Sequence, residues 1–206
     1  MAKLPTEQEI EAAEQALEPY KLALGKVAHA WNHMQEQLGR LFCMVANLDD
    51  LMGMSIWHAL KSDRSQRDIL LSAAIAADRD PDWNKDFPKA KADIKWLLQK
   101  VNALTDGRNS AIHAPIFSTA VGEAEIRPFV FYGNPNAARL LGKDILAEFD
   151  WQERYFSAVR SHAAAMTNPL LARRFSEMWP WPDRPLLPTV GQKSSHQDHN
   201  RPRTPK

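Results

Sequence analysis

Two stretches of the chain repeat apolar residues at alternating spacings of four and three, which is the spacing of one face of an α-helix. The longer stretch predicts a helix of roughly seven or eight turns that packs a single stripe against partner helices. That stripe contains Tyr20, Leu24, Val27, Trp31, Met34, Leu38, Leu41, Val45 and Leu48. A second long helix is predicted to begin near Phe87 or Pro88, with Ala90, Ile94, Leu97, Val101 and Leu104 in its stripe. Pro115 ends it at about Ala114, because proline disfavours helical geometry in the residue before it.

Capping residues and a proline predict where the first helix begins and where it is interrupted. Thr6 is followed three residues later by Glu9, which matches a capping box that opens a polar helix. Pro19 is predicted to break or restart that helix. The long helix that follows is predicted to close at 47–50, where the sequence turns polar.

Further helices are predicted between and after the two long ones. One spans 52–60, and another spans 64–77 with Ser62 as its cap. The inward positions of the second are Ile69, Leu70, Ala73 and Ala76 or Ala77. The stretch 78–85 is predicted to be a loop because it contains Pro81 and Asn84. A last long helix is predicted from about Leu146 or Asp150 to Thr167, ended by Asn168-Pro169, with Trp151, Tyr155, Ala158 or Val159, His162 and Ala165 or Met166 on one face.

Together these elements predict an all-α fold, an antiparallel up-and-down bundle of four to five main helices. A short β-hairpin is predicted over 116–132, with strands at 116–121 and 125–132 around Gly122-Glu123. One helical-bundle domain is assigned to 1–180, with its core at 20–168. Residues 181–206 are predicted to form a flexible tail, because so polar a segment buries too little apolar area to offset its ordering.

Composition narrows the class of protein. Apolar residues make up 44% of the 206 residues, and 26 basic side chains nearly balance 25 acidic ones, so no global field attracts nucleic acid or an anionic membrane. The single cysteine, Cys43, lies in an apolar run and is predicted to be a buried thiol. The sequence shows no signal peptide and no apolar stretch long enough to span a membrane, so a cytoplasmic protein without a membrane partner is expected.

The end of the second long helix departs from this ordinary pattern. Continuing its stripe by four and three leads to Arg108 and then Ala111, so a charged head points at the bundle or at a second copy of the chain. A buried guanidinium is costly unless it is paired. Asn109 and His113 share the next face, since they are four residues apart. On a straight helix Arg108 and His113 lie roughly 140° apart, so they converge only through a distorted last turn or across two chains.

The Arg108-Asn109-x-x-x-His113 arrangement at the end of the second long helix resembles the motif of HEPN-like domains. The order of the surrounding helices is also similar, and the likeness covers roughly residues 20–167. It implies an all-α bundle that dimerises so that two such motifs face one cleft. In active members of the superfamily this cleft cleaves RNA without a metal, and other members only bind RNA or a partner protein.

The resemblance assigns a role to each motif residue. Arg108 would bind a phosphate, His113 would act as general acid or base, and Asn109 would orient it. Attack by the ribose 2′-hydroxyl would leave a cyclic phosphate and spare DNA. The implied setting is a stress or defence system, with a homodimer, an RNA and a partner protein such as an antitoxin as the interacting molecules. No cofactor is expected.

Several alternatives stay open at this point. The main rival hypothesis is a catalytically inactive interaction module, in which Arg108 pairs with Asp106, Asp93 or an acid of another helix and His113 only caps its helix. Glu36 is an additional candidate for the site. A zinc site at His29 and His33 lacks cysteines or carboxylates to complete it. Four tryptophans at helical spacing are expected in the core: Trp31, Trp57, Trp96 and Trp151.

Overall fold

Helices make up most of the chain in its structure, a computed structural model that describes residues 6–114, 116–118, 126–130 and 133–189. The helices are α1 Glu7–Val45, α2 Asp50–Ala59, α3 Asp63–Ala77, α4 Pro81–Asp86, α5 Ala90–His113, α6 Pro135–Leu140 and α7 Ile145–Arg174. The strands are β1 Ile116–Ser118 and β2 Ile126–Pro128. The predicted all-α class is confirmed. None of the described helices is both long and apolar enough to cross a membrane.

The capping box at the start of α1 is confirmed. The Glu9 amide donates to Thr6 Oγ1 at 3.3 Å, and Glu9 Oε2 accepts from the Thr6 amide at 2.7 Å. The prediction that Pro19 breaks this helix is wrong, since Pro19 lies inside α1. A proline removes one helical hydrogen bond, but Pro19 is exposed, so water can satisfy the carbonyl that loses its partner.

The core forms where α1 packs against α7, with α2, α3 and α5 also lying against α1. The predicted stripes are confirmed. Fully buried members include Val27, Trp31, Met34, Leu38 and Leu41 of α1 and Ile94, Leu97 and Val101 of α5. Cys43 is also fully buried, as predicted, and burial raises the pKa of its thiol. Trp57 is buried, whereas Trp96 and Trp151 are half-buried and pack against this core.

Two predicted interruptions of helices are wrong. Residues 78–85 were expected to form a loop, but Pro81 opens α4, with Asp80 Oδ1 accepting from the amide of Asp82 at 3.0 Å. Proline is favoured at the first helical position because its amide needs no partner there. Asn168-Pro169 does not end α7, which continues to Arg174 with Pro169 buried. Burial of this turn offsets the hydrogen bond that the proline removes.

The helices α2 and α3 form where the sequence predicts them, with Ser62 capping α3. The predicted inward face of α3 is largely confirmed. Leu70 is buried, and Ile69, Ala73 and Ala77 pack partly buried against the core. Arg67 and Ala74, which were not predicted, are also buried. A guanidinium therefore lies on a face that was expected to be apolar.

The strands β1 and β2 pair in antiparallel register, with Phe117 opposite Arg127. They are shorter than the predicted strands, and the expected turn at Gly122-Glu123 lies outside the described residues. The helix α6, which was not predicted, follows with Asn134 as its cap. Ala137 and Leu140 of α6 pack with Ala114 in a small cluster at the end of α5.

The segment after α7 lies against the helices as far as the structure describes it. Trp181 Nε1 donates to Asp93 Oδ2 at 2.9 Å, and Arg184 Nε donates to Asp93 Oδ1 at 2.6 Å. Trp151 Nε1 donates to the carbonyl of Pro188 at 3.0 Å. The first residues of the predicted tail are thus held on α5 and α7, and 190–206 lie outside the described residues.

Candidate functional site

The three motif residues lie on the last two turns of α5. This helix stays α-helical through His113, where the amide of Ala114 donates to the carbonyl of Ser110. No distortion of the last turn brings the motif together, so Arg108 and His113 remain roughly 140° apart around the helix. Arg108 and Asn109 are half-buried, whereas His113 is exposed. Within one chain the structure brings together the first two residues and not the third.

Arg108 lies against the ring of Trp31 on α1. Its guanidinium carbon is 5.4 Å from the ring centroid, within the range of a cation–π contact. Its Nη1 donates to Asn109 Oδ1 at 3.1 Å. Asn109 therefore accepts a hydrogen bond from Arg108, and within the described residues no hydrogen bond joins it to His113.

The two carboxylates proposed as partners of a structural Arg108 pair with other arginines. Asp106 pairs with Arg139 at 3.3 Å, and Asp93 pairs with Arg184 at 2.6 Å. Within the described residues, Arg108 has no carboxylate partner. Its guanidinium contacts an indole ring and an amide oxygen instead.

A second guanidinium lies beside the same ring. The guanidinium carbon of Arg67 is 5.9 Å from the centroid of Trp31, and Arg67 Nε donates to Asn102 Oδ1 at 2.7 Å. Burial lowers the pKa of Arg67, and the nearby Asp63 opposes that shift. Asp63 also accepts from Trp31 Nε1 at 2.9 Å. Two positive groups and one carboxylate thus surround the indole ring of Trp31.

Several polar side-chain atoms on α1, α3 and α5 are buried without a hydrogen-bond partner in the described residues. On α5 they are Thr105 Oγ1 and Arg108 Nε, and on α3 the atom is Arg67 Nη1. Both amide atoms of Gln35, one turn after Trp31 on α1, share this condition. A buried polar atom left unpaired costs about 1–3 kcal/mol. Two further atoms of this kind, Gln152 Oε1 and His162 Nε2, lie on α7, so unpaired buried atoms are not confined to the surroundings of Arg108.

The remaining candidates lie elsewhere. Glu36 is within 3.2 Å of His58 on α2, and both side chains are about half exposed. The rings of His29 and His33 are 4.0 Å apart. In the part of the chain that the structure describes, no group of three or more His, Cys, Asp or Glu could hold a metal ion.

Comparison with known proteins gives no further assignment. No protein-family model matches the chain, and no curated protein sequence and no solved structure shows significant similarity to it.

Sequence reasoning missed Arg67, Asn102 and the role of Trp31 as a platform. A signal for Arg67 was present, because Arg67, Leu70 and Ala74 follow the spacing of three and four that marks a buried face. Ile69 and Ala73 lie on a neighbouring face of α3 that is entirely apolar, and an apolar face is expected to be buried before one that contains an arginine. The contacts of Asn102 and Trp31 depend on the packing of three helices, which no pattern within one helix contains.

Proposed function

We propose that the chain is a HEPN-like helical domain, an up-and-down bundle that acts on RNA through Arg108, Asn109 and His113. The observation that carries this proposal is the state of Arg108. Its guanidinium is half-buried on Trp31, beside a second guanidinium and without a carboxylate partner in the described residues. A planar guanidinium with donors to spare is suited to phosphate oxygens.

The geometry of α5 supports a dimeric site. Because α5 is regular, Arg108 and His113 of one chain point in different directions. A second copy related by a two-fold axis would bring the His113 of one chain near the Arg108 of the other. Arg108 would then bind the scissile phosphate, and Asn109 would fix the orientation of the guanidinium plane. His113 would accept the proton of the 2′-hydroxyl or donate one to the leaving oxygen.

This chemistry needs no metal and no cofactor. It leaves a 2′,3′-cyclic phosphate on one product and a 5′-hydroxyl on the other, and it requires RNA because DNA lacks the attacking group. The biological setting we propose is a stress or defence system in which a partner protein such as an antitoxin covers the site.

The test is cleavage of mixed cellular RNA in the presence of a chelator. The parent protein is compared with His113→Ala and with His58→Ala, which is a matched control because both histidines are exposed and lie in the last turn of a helix. We expect the parent and His58→Ala to produce cyclic phosphate ends and His113→Ala to produce none. Equal cleavage by all three proteins would contradict the assignment of His113.

A catalytically inactive RNA-binding or protein-binding module is the second candidate. It is favoured by His113 itself, which is exposed and has no side-chain hydrogen bond to orient it within the described residues. A catalytic imidazole usually requires such a partner. In this case the parent protein binds RNA or a partner protein, Arg108→Met weakens that binding, and RNA stays intact in every reaction.

A further inference from the structure

A cleft between α1 and α7 collects positive charge on a side of the molecule that the Arg108 motif does not use. Its volume is about 530 Å³, within the range of small-ligand sites. The charged and titratable side chains that line it are Lys21, Lys26, His29 and His33 of α1 and Glu153 and Arg160 of α7. Three permanent cations and two imidazoles thus line the cleft with one carboxylate, although the whole chain carries a net charge of only +1. Lys21 also pairs with Glu18 at 2.7 Å beside the cleft, so Lys26 and Arg160 are the cations of the lining whose charge is available to a ligand.

Side chains with N–H donors lie along one face of α1. Lys21, His29 and His33 belong to one series at intervals of four residues, so they share a helix face over about 18 Å. The rings of the two histidines lie 4.0 Å apart, which concentrates their donors at one end of the cleft. The row is long enough to contact several phosphates in succession, where a single anion would engage only part of it.

Gly25 occupies the remaining position of that series. It is exposed and lies in the interior of α1, and a Cβ atom added there would meet nothing within 4 Å. Glycine in a helix interior is less favourable than alanine by about 1 kcal/mol. Neither packing nor a positive φ angle requires this glycine. Any side chain at this position would enter the cleft between Lys21 and His29, so glycine keeps the backbone open to a ligand.

We propose that this cleft binds a ligand with several linked phosphates, which lies over the backbone at Gly25. The lysines, the two imidazoles and Arg160 would donate to phosphate oxygens, and the Ser157 hydroxyl, which also lines the cleft, adds a neutral donor. The site is separate from the proposed RNA motif. His29 and His33 each lie roughly 200° around α1 from Trp31, whose ring contacts Arg108.

The experiment is a calorimetric titration of the full chain with inorganic tripolyphosphate at low salt and with a chelator present. The variants are Gly25→Gln and His29→Gln/His33→Gln. Lys95→Gln is the control, because it removes an exposed lysine of α5 outside the cleft. We expect the parent and Lys95→Gln to bind tripolyphosphate with the same affinity and with strong salt dependence. The two cleft variants should bind it at least about tenfold more weakly.

Gly25→Gln separates a ligand site from a structural role. Glutamine forms helices better than glycine, so this variant should melt at the same temperature as the parent or higher while losing affinity. Absence of tripolyphosphate binding by the parent, or equal weakening by Lys95→Gln, would overturn the proposal.

Competition distinguishes the two sources of linked phosphates. Displacement of tripolyphosphate by adenosine triphosphate identifies a nucleotide ligand, and displacement only by a short single-stranded RNA identifies a polynucleotide. Displacement by neither would also overturn the proposal. The titrations are repeated in the Arg108→Met background, where Gly25→Gln should still weaken tripolyphosphate binding relative to Arg108→Met alone. Failure of this proposal is therefore distinguishable from failure of the proposed RNA activity.

Discussion

Substitution of Arg108 by methionine is the perturbation that separates a functional arginine from a structural one. Methionine keeps most of the length and apolar volume of the side chain and removes the guanidinium. If the charge serves a ligand, its loss should change binding much more than folding. If it holds the bundle together, the opposite should be found.

The expected change in the free energy of unfolding follows from two contacts of Arg108 and one unpaired atom. The cation–π contact with Trp31, made against a buried ring, contributes about 1–2 kcal/mol. The hydrogen bond to Asn109 adds about 0.5–1.5 kcal/mol. The buried Nε without a partner costs about 1–3 kcal/mol. These terms nearly cancel, so Arg108→Met should lower the free energy of unfolding by only about 0.5 kcal/mol and shift Tm by no more than about 4 °C.

The expected change in RNA binding is much larger. A charge-assisted hydrogen bond to phosphate contributes about 1.5–3 kcal/mol, so affinity should fall about tenfold to a hundredfold. Arg108→Lys keeps the positive charge but loses the pair of parallel N–H donors of the guanidinium, and should therefore give an intermediate RNA affinity.

The assay combines thermal melting, the oligomeric state by light scattering and RNA affinity at two salt concentrations. A Tm that falls by more than about 8 °C, or a change of oligomeric state, with unchanged RNA affinity would refute the functional interpretation of Arg108.

Three further predictions concern the packing that supports the site. Gly53→Ala should lower the free energy of unfolding in urea by about 1–3 kcal/mol, because the added Cβ would lie 2.4 Å from the sulfur of Cys43, and Cys43→Ala in the same chain should recover much of that loss; equal losses in both backgrounds would contradict this cause. Burial lowers the pKa of His162, so the unfolded chain takes up a proton first, and stability should fall below about pH 6.5, by up to about 1.4 kcal/mol per pH unit, until the lower folded pKa is reached; His162→Gln should remove this dependence in pH-resolved denaturation, and an unchanged slope would count against it. Asp93→Asn weakens the acceptor of Trp181 Nε1, and the 180–189 segment should then be cleaved faster by proteases, with cleavage at the parent rate as the contrary outcome.

Much of the fold was predictable because α-helices leave a local record in the sequence. The stripes of α1 and α5, the capping box at Thr6 and the end of α5 before Pro115 depend on residues within a few turns of one another. Three errors came from treating a proline as a helix break or a loop signal. Pro19, Pro81 and Pro169 all lie within helices, either at a first turn or where burial or solvent compensates the missing hydrogen bond.

The candidate site was predictable only in part. Arg108 was identified because a charge occupied an apolar position of the stripe, a conflict visible within one helix. Arg67 went unnoticed, since its burial depends on the face of α3 that α5 and α1 cover. The docking of Trp181 on Asp93 joins residues far apart in the chain, and the polar composition of the segment predicted the opposite.

The sequence by itself determined the helical class, the two long stripes and the position of the Arg108 motif, because these depend on periodicity and on steric preferences of neighbouring residues. Only the tertiary structure decided that Arg108 and Arg67 share the ring of Trp31 and that Lys26 and Arg160 face one cleft. The physical reason is that such contacts depend on how helices from distant parts of the chain pack. That packing follows from the burial of the whole core, and the spacing of residues within one helix does not specify which distant residues it brings together.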